Sequence, residues 1–193
     1  MENNLLKELR ELTGAGMMDI KEALTEAGND KDKAIEILRK KGAMKMGKKS
    51  DRIAKEGLVE AYIHPGGRVG VLLEINCETD FVARTDAFKE LAKELALHIA
   101  AANPLYLTSA DVPTEVVEKE KEIYKEQLKD KPADVVDKIL EGKVAKFYEE
   151  VCLMDQPYVK DSGLKVSQFF AQAAAKMGEN VQVRRFVRYA LGN

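Results

Sequence analysis

The sequence predicts an α+β fold, in which an N-terminal three-helix module and a linker precede a core with a three-stranded antiparallel sheet covered by helices and a helical hairpin. Three observations carry that expectation. Apolar residues recur at helical spacing through the first forty residues, they alternate at period two from residue 57 to 77 and again near the end, and long charged helical patterns fill the stretch between. At 193 residues the chain buries a core without needing metal or disulfide staples.

In the N-terminal module Leu5, Leu6, Leu9 and Leu12 make one stripe, Met17, Ile20, Leu24 and Ala27 a second, and Ala34, Ile35 and Leu38 a third. Thr13-Gly14-Ala15-Gly16 supplies positions tolerant of positive φ between the first two helices, and Gly28-Asn29-Asp30 ends the second and caps the third. Helices this short are marginal alone and must pack on one another. One of Met17 and Met18 is expected to face that core, since neighbours on a helix cannot both do so, which leaves the other near Lys21 on the surface. Residues 39–55 then carry eight Lys or Arg and one acidic residue. This basic run is read as a solvated linker, which sets the units at 1–40, 41–56 and 57–193; without interleaved aromatics it makes a weak RNA-binding segment.

In the core, Val59, Ala61 and Ile63 alternate with Glu60 and Tyr62, Pro65-Gly66-Gly67 turns the chain, and Val69, Val71, Leu73, Ile75 and Cys77 alternate through a longer strand. This is a β-hairpin with one apolar face. Thr85 or Asp86 caps a helix through Phe88, Leu91, Leu95 and His98 that Asn103-Pro104 terminates. Pro113 starts a charged helix, and after Lys131-Pro132 a second follows with Val136, Leu140, Val144, Phe147 and Val151 on one side, giving a helical hairpin over about 113–151. Val166 to Met177 is a further helix stopped by Gly178, and Val181, Val183, Arg185, Val187 and Tyr189 alternate in a last strand expected to join the hairpin.

Composition narrows the function classes. A net charge of −2 argues against a binder driven by phosphate neutralisation. The N-terminus lacks the apolar core of a secretory signal, and no stretch approaches the ~20 apolar residues of a membrane span, so a cytoplasmic protein without membrane or direct nucleic-acid partners is expected. Cys77 and Cys152 lack zinc-ligand neighbours and read as small apolar fillers, a disulfide being the minority reading. Cys77, Asp80 and His64 make a poor thiol catalytic set, since Cys77 is in phase with the buried strand positions. No phosphate-binding Gly loop occurs, and His98 falls in a helix stripe as a packed core histidine. No catalytic residues, metal or cofactor are assigned, and a binding protein is expected over an enzyme.

The sharpest local feature is Glu78-Thr79-Asp80-Phe81-Val82, a large aromatic beside a carboxylate at the corner between strand and helix. Pattern alone leaves two readings open for Phe81. It plugs the corner, where burial stabilises by about 1.5–3 kcal/mol, or it is held out for a partner; pattern favours the plug. For Asp80 a helix or turn cap is equally open.

Several stretches resemble the bacterial elongation factor Ts family in the order that family shows them. LRELTGAGMMD with KEAL (9–24) resembles its N-terminal ubiquitin-associated-like module, GVLLEINCETDFV (70–82) its most specific stretch, and DQPYVKD (155–161) and GENVQVRRFVRYALG (178–192) its C-terminal segments. The resemblance implies guanine-nucleotide exchange on elongation factor Tu, with Phe81 as a wedge near the magnesium and phosphate site, Asp80 a polar anchor, and Thr79 and Val82 completing the loop. It implies partner contacts at Met17, Met18 and Lys21 in the module, and at His64, Met177 and Gly178 in the core. Longer relatives duplicate the core and carry a protruding coiled-coil insertion. With one sheet unit, this chain resembles the short form, for which the resemblance implies a homodimer and a two-to-two complex with the GTPase.

Overall fold

The computed structural model describes residues 2–13, 15–49, 52–129 and 132–192. Helices α1 (Glu2–Thr13), α2 (Met17–Glu26) and α3 (Lys31–Lys49) form the N-terminal part. Leu6, Leu9, Ile20, Ala23, Leu24, Ala34 and Leu38 close a small core there. Asp30 caps α3, its Oδ1 accepting from the N–H groups of Asp32 at 3.0 Å and Lys33 at 3.1 Å. Gly28 and Asn29 both take positive φ, which lets the Asn29 N–H reach back to the Leu24 carbonyl at 2.8 Å. Gly16 starts α2 at φ −65°, in ordinary space for any residue, and Gly14 lies outside the described residues.

Two expectations fail in this part. Neither Met17 (39% exposed) nor Met18 (69%) enters the core, because Ile20, Ala23 and Leu24 already fill the buried side of α2. The third helix also does not stop near residue 40. It continues through Lys49 into the basic stretch, where Ala, Met and Lys favour helix and no proline interrupts.

The core is a three-stranded antiparallel sheet in the order β1 (Glu56–Ile63), β2 (Val69–Cys77), β5 (Gln182–Ala190), with β2 central. Between β2 and β5 the chain forms α4 (Asp80–Ala83), α5 (Asp86–Ala102), α6 (Thr114–Glu126), α7 (Ala133–Val151), a short ribbon of β3 (Pro157–Tyr158) and β4 (Asp161–Lys165), and α8 (Val166–Met177). Helices α5 and α8 cover one face of the sheet, burying Val71, Leu73, Ile75 and Cys77 against Phe88, Leu91, Leu95, Ile99, Val166 and Phe170. The caps of α5 are those its sequence predicts. Thr85 Oγ1 accepts from the Phe88 N–H at 3.2 Å, and Asn103 closes the helix at φ 51°. Helices α6 and α7 pair as the predicted hairpin, and α3 runs against α8.

The strand phases carry two corrections. The register pairs Leu58 with Ile75 and Tyr62 with Val71, so Leu58 and Tyr62 face the core while Val59, Ala61 and Ile63 face outward. The buried face of β2 outweighs the apolar run of β1, and a partner strand has no independent choice of face. In β5 a bulge opposite Glu74/Ile75 switches faces partway: Val181 and Val183 are buried, whereas Arg185, Val187 and Tyr189 join the outer face. Val59, Ile63, Leu72, Val187 and Tyr189 consequently leave that outer face apolar and exposed. The β3–β4 ribbon has no counterpart in the sequence reading, its strands being too short to show alternation.

Candidate functional site

At the end of β2 the chain turns through residues 78–85 as two helix starts in succession, capped by Thr79 and then Thr85. Thr79 Oγ1 faces the Val82 N–H at 3.4 Å, and Thr85 Oγ1 also donates to the Val82 carbonyl at 2.8 Å. Within α4, Ala83 is buried and Val82 packs against the core. Residues two apart on a helix lie ~200° apart, so burying Ala83 turns Phe81 outward. Phe81 is 80% exposed. The reading of Phe81 as a corner plug therefore fails, since the corner is already filled by its neighbours. Asp80 lies in the first turn of α4 and pairs with Arg84 one turn on, Oδ2 to Nη2 2.9 Å.

The corner is tied from behind by a segment a hundred residues away. The Glu179 carboxylate accepts from the backbone N–H groups of Glu78 and Thr79, each at 3.0 Å, and from the Thr79 hydroxyl at 2.6 Å. Glu78 answers by accepting from the Asn180 N–H at 2.6 Å, and its carboxylate stands 3.5 Å from Arg52 Nη1. Asn180 Nδ2 donates to the Arg52 carbonyl at 2.7 Å. Gly178, with φ 74°, makes the left-handed turn out of α8 that brings Glu179 to this position. Glu179 and Arg52 were not singled out from sequence: a carboxylate just after a helix-stopping glycine is a weak signal, and its partner is remote along the chain.

The sequence-predicted residues separate into three places. Thr79, Asp80, Phe81 and Val82 share the corner, and Gly178 is joined to it through Glu179, with Met177 half-buried just before. His64 sits at the opposite end of β2, in the turn where its N–H donates to the Val69 carbonyl and its Nδ1 lies 3.1 Å from the Tyr62 hydroxyl. With ~3.3 Å per strand residue, that puts it on the order of 25 Å from the corner of the same chain. Met17, Met18 and Lys21 form an exposed edge of α2.

This geometry leaves the thiol set unassembled. Cys77 is fully buried with its Sγ donating to the Thr79 carbonyl, burial and then the nearby Glu179 charge push its thiol up, and His64 is at the far end of the strand. Cys152 is buried and free as well, its thiol pushed up to about 11 by burial. Among the described residues no group of His, Cys, Asp and Glu is placed to hold a metal ion, and no helix is long and apolar enough to cross a membrane.

Comparison with known proteins places the chain in a family. The family model described as elongation factor TS matches residues 3–193. The chain belongs to the elongation factor Ts family. It is 58% identical over 189 residues to elongation factor Ts of Thermotoga petrophila, covering 98% of this chain and 95% of that one. It is 58% identical over 190 residues to the protein of that name from Fervidobacterium nodosum, covering 97% and 96%, and 57% identical over 192 residues to that of Carboxydothermus hydrogenoformans, covering 98% and 88%. The first two relatives are thus close to this chain in length.

Proposed function

We propose that this chain is a non-enzymatic guanine-nucleotide exchange factor for elongation factor Tu in translation elongation, and that Phe81 and Asp80 are the groups that open the GTPase near its magnesium and phosphate site. The observation that carries the reading is an exposed phenylalanine on a corner tied down on both sides. Leaving Phe81 in water forgoes about 1.5–3 kcal/mol of burial, which a partner can supply. A GTPase holds its nucleotide largely through Mg²⁺ and phosphate-directed backbone donors, so a wedge that displaces these weakens nucleotide without touching the guanine. Burial offered only by the opened GTPase gives the factor higher affinity for the nucleotide-free state. By linkage, the same free energy weakens nucleotide when the factor is bound, and weakens the factor when nucleotide returns.

Met17, Met18 and Lys21 supply a second contact from the N-terminal module, an apolar edge beside a cation, and Met177 with Gly178 flanks the corner. The outer face of the sheet supports the homodimer: two copies placed face to face cover Val59, Ile63, Leu72, Val187 and Tyr189 symmetrically, which yields a two-to-two complex with the GTPase. In such a dimer His64, remote from the Phe81 of its own chain, serves another contact. A monomeric mass at micromolar concentration in sedimentation would rule this assembly out. The protein acts in the cytoplasm, with neither nucleic acid nor membrane as a direct partner.

The deciding experiment is release of fluorescent GDP from elongation factor Tu with and without the protein. The wild type is expected to accelerate release strongly and Phe81→Ala to lose most of that acceleration. Equal rates with wild type and Phe81→Ala would remove Phe81 from the function.

A further inference from the structure

The ladder between β2 and β5 ends at Asn76 and Gln182, yet the corner begins only at Thr79. In the gap, carboxylates replace carbonyls as acceptors: Glu179 takes the N–H groups of Glu78 and Thr79, and Glu78 takes that of Asn180. Backbone donors left without partners here would be costly, which accounts for some acceptor being present. It does not account for the third bond. Glu179 Oε1 also accepts the Thr79 hydroxyl proton at 2.6 Å, and that hydroxyl is the one facing the Val82 N–H as the cap of α4. Because the hydroxyl has a single proton, committing it to Glu179 directs its lone pairs toward the first turn of α4.

A four-residue helix has no stability of its own, so its orientation is fixed by its ends. The far end is held by Thr85 and the near end by Thr79 through Glu179, with Phe81 between. We propose that Glu179 is a positioning residue for exchange: its carboxylate fixes the direction of the first turn of α4 and thereby keeps Phe81 preorganised in its outward pose. The inference rests on the reading of Phe81 as the group that engages the GTPase. A wedge performs only if its support does not yield, and small misplacements of a working group far from the support point are costly.

A mutant cycle on nucleotide release tests it, using wild type, Phe81→Ala, Glu179→Ala and the double variant at one subsaturating concentration, with each protein's melting curve recorded beside its rate. Glu179→Ala is expected to slow release about tenfold in the wild-type background and less than about twofold in the Phe81→Ala background. Its effect on melting temperature should be the same in both backgrounds, as a purely structural role would also give. Glu179→Gln keeps an acceptor for the two backbone donors but turns an amide donor toward the Thr79 hydroxyl, so it should hold the melting temperature near that of wild type and still slow release, by less than Glu179→Ala does. If Glu179→Ala is unfolded at assay temperature, the cycle is run with Glu179→Gln, whose smaller slowing must likewise vanish when Phe81 is absent. Full slowing by the Glu179 substitution in both backgrounds, or none in either, overturns the positioning role while leaving the wedge intact. Wild-type rates for Phe81→Ala overturn the wedge reading instead, and this inference with it.

Discussion

Two aromatic corners of this molecule have similar surroundings and opposite outcomes. Phe81 follows β2 and is 80% exposed, whereas Tyr158 ends β3 and is only 6% exposed. Each is braced by a side chain remote in sequence, Glu179 at the first and His98 at the second. At the second corner the brace and the aromatic stabilise the fold together. Tyr158 stacks on Phe169 with ring centroids 4.2 Å apart and donates its hydroxyl to Glu94. Lys160 donates to the same carboxylate. Burial raises the Glu94 pKa, but the bonds from Lys160 and Tyr158 more than offset this and hold it below the ordinary carboxylate range. At the first corner the brace holds an aromatic that makes no such return. A fold that rigidifies a corner and leaves its largest apolar group in water has separated the positioning of the group from any use of it within the chain.

The comparison is tested most strongly at Tyr158. Tyr158→Ala removes a buried, stacked ring and is expected to destabilise by about 3–5 kcal/mol, measured by denaturant unfolding. A loss below about 1 kcal/mol would mean that the ribbon corner, like the first, is not part of the stabilising core.

The brace at that corner supplies the next effect, as a dependence on pH. Gln156 donates its amide to the carbonyls of Glu150 at 2.8 Å and Ala102 at 3.5 Å, which turns its Oε1 toward His98 Nε2 at 2.9 Å. The Val159 N–H points at His98 Nδ1 at 3.2 Å, so the imidazole is neutral with its proton on Nε2. Burial lowers its pKa below the ordinary 6.5, against a smaller opposing effect of Gln156. Above about pH 6.5 the folded and unfolded chains bind the same number of protons at this site and its contribution is at its full value. Below it the unfolded imidazole takes up a proton that the folded one refuses, so stability falls with falling pH until the folded pKa is reached, with a slope of at most ~1.4 kcal/mol per pH unit. The unfolding free energy of the wild type between pH 7.5 and 5.5 is expected to fall more steeply than that of His98→Gln. Parallel curves would show that His98 is not the group that titrates.

How far these corners were legible in the sequence follows from the range of the interactions that fix them. Element positions were legible where local chemistry sets them: Thr85 and Asn103 bound α5, and Gly178 ends α8. The face of β1 was not, because Val59, Ala61 and Ile63 look like an inward set until pairing with β2 assigns Leu58 and Tyr62 that role. The face of β5 was legible only up to its bulge, since an inserted residue reverses every phase beyond it. Residues 79–82 could be found as an odd corner, yet whether Phe81 was in or out depended on Ala83 and Val82 having filled the space. Glu179 was invisible for the same reason that it matters: its three bonds span a hundred residues.

The smallest expected effect is the one that separates the corners. Phe81→Ala removes a side chain larger than many in the core, yet it vacates no cavity, because the ring already stands in solvent. Unfolding free energy is therefore expected to change by less than about 0.5 kcal/mol, as for a surface site. Substituting a four-residue helix with alanine, a better helix former than phenylalanine, acts if anything in the stabilising direction. A near-zero result in denaturant unfolding, beside the several kcal/mol expected for Tyr158→Ala, would assign the two aromatics to different tasks in one chain. A loss of 2 kcal/mol or more would instead return Phe81 to the core of this molecule and erase the distinction between the corners.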